Sequence, residues 1–265
     1  MYFYCFSAAV VSNKYLLWPD GKVPYEVSAT YSSHDRARLA AAIKEFHSKT
    51  CIRFTPRKPG DNYIHITNLP GPRICSSYIG MQGGRQEVAL GSQCITRKGI
   101  IQHEILHALG FFHEQSRSDR DKYVEIHRNN IDMNLLSNFE KYNFDQLEDL
   151  GTPYDYGSVM HYGPTAFSRN GRLTIKAKKN LNGVVMGQRN GMSDQDIKAL
   201  NLLYGCKVKK QGKEADQNSN SEEQKKTCKD KFRFCRTWKK HGFCHPKKKL
   251  EIIMKRYCTE TCGFC

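Results

Sequence analysis

The chain has 265 residues, 39% of them hydrophobic and 26% charged, with a mean hydropathy of −0.65. That length allows one large domain and a small one, and no apolar run approaches the ~18 residues of a membrane-spanning helix. The net charge of +16 points to acidic partners of unspecified kind, and eleven cysteines favour an oxidising compartment while leaving one thiol over.

In chain order, MYFYCFSAAVV is apolar but lacks the positive start of a secretory leader. Residues 1–7 are set aside as an N-terminal remnant ahead of a large domain that starts at residue 8. Residues 34–49 predict a helix behind Ser33 as N-cap, with Leu39, Ile43 and Phe46 on one face. Residues 51–55 and 62–67 read as short strands, and Gln86–Leu90 reads as an edge strand able to hold an extended peptide. An apolar helix follows from near Gly99 to Gly110. A last helix opens with Ser193 and Asp196 in capping-box spacing, then carries Ile197, Leu200 and Leu203. Residues 207–227 lack aromatics and large apolar side chains apart from Val208, which predicts a polar linker. The expected class is α+β, with domains at 8–206 and 228–265. Seventeen of the 42 Lys and Arg, against seven of the 26 Asp and Glu, fall in residues 206–265, so the charge imbalance is concentrated in the tail.

The most informative segment is HEILHALGFFHEQSRSDRD, residues 103–121. Residues four apart on a helix share a face, so His103 and His107 can bind one zinc ion. Glu104 lies beside the first histidine, where it can reach a zinc-bound water without ligating the metal. Gly110 can end the helix in the left-handed conformation, and the turn brings His113 in as third ligand. Three histidines leave zinc an open position, the mark of a catalytic site.

With SVMHY at 158–162, this segment resembles the astacin family of zinc metalloendopeptidases, within the metzincins. The match rests on His103, Glu104, His107, Gly110, His113, Glu114, Arg117, Asp119, Arg120 and Asp121, then Ser158, Met160, His161 and Tyr162. The resemblance implies a two-lobed fold with a central zinc cleft, one zinc ion per chain, and protein or peptide substrates. It implies that Met160 forms an apolar floor beneath the histidines. Tyr162 is implied as an extra zinc ligand at rest that swings away to stabilise the oxyanion. Glu114 is implied to contact the amino terminus of the mature enzyme, near Ala8. Disulfides Cys51–Cys206 and Cys75–Cys94 are implied, leaving Cys5 without a partner. Arg189, in Gly187-Gln188-Arg189, is implied to reach the pocket after the cut bond and to favour Asp or Glu there. Chemically, zinc acidifies its water, Glu104 moves the proton to the leaving amine, and zinc with Tyr162 stabilises the oxyanion.

Six cysteines in residues 228–265 make a disulfide scaffold, with fifteen pairings open on spacing alone. The segment resembles an ShK-type module through Asp230, Trp238, Gly242 and the ending Thr261-Cys262-Gly263-x-Cys265. That resemblance implies Cys228–Cys265, Cys235–Cys258 and Cys244–Cys262. Lys239, Lys240 and Lys247 to Lys249 suit an anionic matrix or cell-surface ligand, and a solvated cap is the plainer reading. No nucleic-acid recognition motif is present. Together these readings describe a secreted zinc endopeptidase. The competing class is a toxin or binding protein that acts through its tail. The sequence does not indicate an oligomeric state.

Overall fold

The computed structural model describes residues 9–68, 71–142, 150–206, Lys239 and 259–262. Contacts divide the chain into two units, Met1–Lys209 and Lys210–Cys265. The expectations for Cys5, for the linker, for five of the six tail cysteines and for Lys240 and Lys247 to Lys249 lie outside the described residues. In the second unit, Thr259–Cys262 forms one helical turn, Lys239 Nζ donates to the carbonyl of Thr261 at 2.8 Å, and Cys262 is disulfide-bonded.

The first unit is α+β. Its sheet has strands β1 (Lys22–Val27), β2 (Arg53–Pro56), β3 (Tyr63–Thr67), β4 (Cys75–Ser77) and β5 (Arg85–Leu90), in the order β2-β1-β3-β5-β4. β4 alone runs antiparallel, with Cys75 opposite Leu90 and Ser77 opposite Val88. Helix α1 (Ser33–Lys49) is capped by Ser32, whose hydroxyl accepts from Asp35 N–H. The cap thus lies one residue before the expected Ser33. Leu39, Ala42, Ile43 and Phe46 recur at helical spacing and form the buried face of α1, which packs on α2 (Lys98–Ala108). Ile64, Ile66, Val88 and Leu90 from the sheet complete this core.

Gln86–Leu90 is not the edge strand. β5 pairs with β3 on one side and β4 on the other, so the edge belongs to Cys75–Ser77. A three-residue polar strand has no apolar alternation to reveal it, whereas QEVAL does alternate. The disulfides are Cys51–Cys206 and Cys75–Cys94, the second joining β4 to the segment that follows β5.

After α2 the described residues form short 3-10 turns and one small ladder, β6 (Val124–Ile126) with β7 (Ile175–Ala177), ahead of the last helix of this unit. A second core gathers Val124, Ile131, Phe139, Tyr154, Tyr156 and Ile175. Helix α3 (Asp194–Leu203) starts with the expected capping box, Ser193 and Asp196 bonding reciprocally. No described helix is long and apolar enough to cross a membrane.

Candidate metal centre

Helix α2 is buried on almost every face, and its polar residues Gln102, His103, Glu104 and His107 are buried with the apolar ones. At its end Gly110 takes φ +102°, a conformation that costs other residues strain. The chain turns there, and an antiparallel bridge between Val10 and Phe111 fixes the exit path. His113 is thereby delivered to His103 and His107. Its Nε2 lies 3.2 Å from Nε2 of His107 and 3.3 Å from Nε2 of His103.

The other ring nitrogens set the tautomers. Nδ1 of His103 lies 2.8 Å from the carbonyl of Val159, and Nδ1 of His107 lies 2.7 Å from that of Phe111. A carbonyl only accepts, so each Nδ1 carries the proton and each Nε2 presents a lone pair. Burial pushes His103 and His113 well below their ordinary range and His107 down to about 4, and the charge of Arg189 adds to this. Neutral imidazoles with converging lone pairs repel unless a cation lies among them, so the donor set fits zinc. Glu104 is 5% exposed, and burial raises its carboxyl to about 8 against the opposing charge of Arg189.

The segment 158–162 supplies the opposite wall. Val159 orients His103 as above, and the N–H of Val159 donates to Asp196 at 2.9 Å. Met160 is 1% exposed within the main core, and its carbonyl accepts from Glu114 N–H at 3.1 Å. The ring of Tyr162 lies 4.4 Å from that of His113, and its backbone N–H donates to Gln115 Oε1. Burial raises its hydroxyl to about 12. A hollow of about 250 Å³ opens beside His107, His113 and Tyr162, bounded by Ser77, Ile79, Phe112 and Tyr142.

Arg189 is close enough for its charge to act on all three histidines, Glu104 and Tyr162. Its Nη1 donates to the carbonyl of His161 at 3.1 Å and to that of Gln188 at 2.8 Å. Two glycines, whose close packing sequence reasoning does not foresee, hold this loop. A Cβ on Gly99 would lie 2.3 Å from the carbonyl of Arg189, and one on Gly187 would lie 2.4 Å from Cα of Gly163. The loop is thus clamped between the first turn of α2 and the residue after Tyr162.

Glu114 accepts from Arg117 Nη1 at 3.0 Å and from Asp155 N–H at 2.9 Å. It also lines a small cavity with Ala9, Gln195 and Asp196, in which Gln195 Oε1 has no donor. Arg117 is 0% exposed and pairs bidentately with Asp119. The motif names these residues, but their burial and pairing escape sequence reasoning, although SRSDRD is a dense charge run soon after the third histidine.

Comparison with known proteins agrees with this geometry. The astacin peptidase family pattern matches residues 10–205, and an ShK domain-like pattern matches 227–265. Zinc metalloproteinase nas-15 of Caenorhabditis elegans is 51% identical over 199 residues, which is 75% of this chain and 34% of that protein. Zinc metalloproteinase nas-6 of the same organism is 38% identical over 269 residues, 96% of this chain and 76% of its own length. High choriolytic enzyme 1, a hatching-enzyme zinc protease of medaka (Oryzias latipes), superposes with a TM-score of 0.65 at 41% identity, covering 78% of this chain and 99% of its own. The chain spans 34% to 61% of the first four curated relatives it matches. With the pattern matched across most of its length and the histidines converged as above, the chain belongs to the astacin family.

Proposed function

We propose that this chain is a zinc endopeptidase that hydrolyses internal peptide bonds of proteins. The observation that carries this reading is the convergence of three histidine Nε2 lone pairs, each neutral by burial, beside the buried carboxyl of Glu104. His103, His107 and His113 would hold the ion through Nε2, with Tyr162 as a further ligand at rest. Bound zinc supplies Lewis acidity, polarising the peptide carbonyl and bringing a water's pKa toward ~7. Glu104 accepts the proton of the attacking water and hands it to the departing amine. Tyr162 donates a hydrogen bond to the carbonyl oxygen as negative charge develops there. The free edge of β4 is the place for an extended peptide, held by main-chain hydrogen bonds.

Arg189 favours Asp or Glu immediately after the cut bond, because its half-buried guanidinium is tethered within range of the histidines. Glu114, the unpaired Gln195 Oε1 and Asp196 form an acceptor-lined cavity beside Ala9, which suits the ammonium of a chain processed near Ala8. The two disulfides support a secreted protein. The basic tail suits an anionic matrix or cell-surface ligand. Cleavage of a denatured protein that chelator abolishes and zinc restores is the expected outcome. Full activity in the presence of chelator would reject the reading.

A further inference from the structure

A second hollow, of about 440 Å³, lies at the other end of β4. It is lined by Arg73, Cys75, Cys94, Arg97 and Ile100, among others, and by no acidic residue. Arg73 and Arg97 are exposed and form no ion pair among the described residues, Arg73 donating only to Gln93 Oε1 at 3.1 Å. The nearby Lys98, by contrast, is paired with Glu45. The result is an unneutralised double positive charge over a floor formed by a disulfide and Ile100.

Its position relative to the histidines follows from two elements that touch both hollows. Strand β4 enters the basic hollow at Cys75 and reaches the histidine hollow at Ser77. On α2, Ile100 lines the basic hollow and His107 the other, and residues 100, 103 and 107 follow one helical stripe. His107 and His113 therefore line the first hollow, and His103 lies between it and the basic hollow along α2. At 1.5 Å rise per residue, Ile100 and His107 are separated by about 10 Å along the axis, or about three residues of extended peptide. A peptide pairing with β4 in the more stable antiparallel sense runs from the Ser77 end toward the Cys75 end. The basic hollow then receives side chains on the carboxyl side of the cut bond.

We propose that Arg73 and Arg97 form a subsite for an acidic side chain two or three residues after the cut bond, distinct from the position that Arg189 serves. This rests on the peptidase reading and extends it from a single acid to an acidic run. The test uses fluorescent peptides with Asp or Asn at successive positions after the cut, measured in two ways: kcat/KM on the wild type, and anisotropy binding to zinc-loaded Glu104→Gln. At the second or third position, Asp should be favoured roughly fivefold, less at high salt. Arg73→Ala with Arg97→Ala should erase that preference and leave neutral peptides unaffected. Preference at these positions that survives the double substitution, or no preference in the wild type, overturns the subsite. Acid-selective binding without any wild-type cleavage would uphold the subsite and overturn the peptidase reading.

Discussion

Among the described residues, Lys22 to Ala108 form five strands and two helices of 17 and 11 residues, whereas Phe111 to Gly191 form one two-stranded ladder and short 3-10 turns. The first half is held by apolar faces that recur with the period of the element: Leu39, Ala42, Ile43 and Phe46 on α1, and Ile64 and Ile66 on β3. The second half has a small apolar core of its own, and beside it buried polar groups that must find partners. Arg117 pairs with Glu114 and Asp119, and Arg120 donates to the carbonyls of Gln115 and Phe139. The candidate metal centre draws on both, with His103, Glu104 and His107 on helix α2 and the proposed contributions of His113, Met160 and Tyr162 from the loops. Regular structure supplies stiffness, and the irregular half supplies the shape that regular structure cannot.

Substitutions can separate these contributions. Glu104→Gln, on the regular half, should retain zinc while turnover falls about 10⁴-fold, checked by peptide hydrolysis with metal analysis. Wild-type-like cleavage would remove Glu104 from its role. Arg117→Ala leaves Glu114 and Asp119 buried without their cation, an expected loss of about 3–5 kcal/mol in urea unfolding. A loss below about 1 kcal/mol would show that the irregular half does not depend on the cluster. Replacing Cys51 and Cys206 together by serine reopens a span of 155 residues and should cost up to about 5 kcal/mol, against about 3 kcal/mol for the same change at Cys75 and Cys94, which are 19 apart. Equal losses would contradict the loop-length argument. Tyr162→Phe, on the irregular half, should lower kcat about 10- to 100-fold with a smaller effect on KM, and an unchanged kcat would dismiss the hydrogen bond to the carbonyl oxygen.

The smallest effect concerns the joint between α1 and α2. Partial burial pushes the Glu45 carboxyl up, but Lys49, Lys98 and Gln102 outweigh it and hold the group at about 2. A depressed folded value stabilises the fold above the unfolded value of about 4.5 and ceases to do so as pH falls toward 2. Glu45→Gln should therefore be less stable by about 1 kcal/mol near neutrality, with the gap closing between pH 4.5 and 2 in chemical unfolding. A gap constant with pH would assign the loss to packing instead.

What is legible in the sequence follows the same division. α1 and α3 can be read from periodicity and capping residues, and α2 from a motif whose spacing is itself helical. β1 is hidden, because Pro24 interrupts KVPYEV and proline counts against a strand. Alternation points to QEVAL as the edge because it is visible along a chain, whereas the three polar residues of β4 become a strand only through their partner. The grouping of His103, His107 and His113 is legible because residue type and spacing encode it. The burial of Arg117 and the clamp of Gly99 on Arg189 are not, because both depend on contacts between segments distant in sequence.

The atoms that orient His103 and His107 are main-chain carbonyls, those of Val159 and Phe111. Every amino acid carries the same carbonyl, so no point substitution at either position removes the acceptor. Side chains there can vary in size without altering which nitrogen faces the other histidines, provided the chain keeps its course. The imidazole orientation is therefore protected against direct mutation and exposed to indirect mutation. A change that shifts the loop by an ångström, at Asp196 or Gly110 for example, disturbs the ligands more than a change in the residues that touch them.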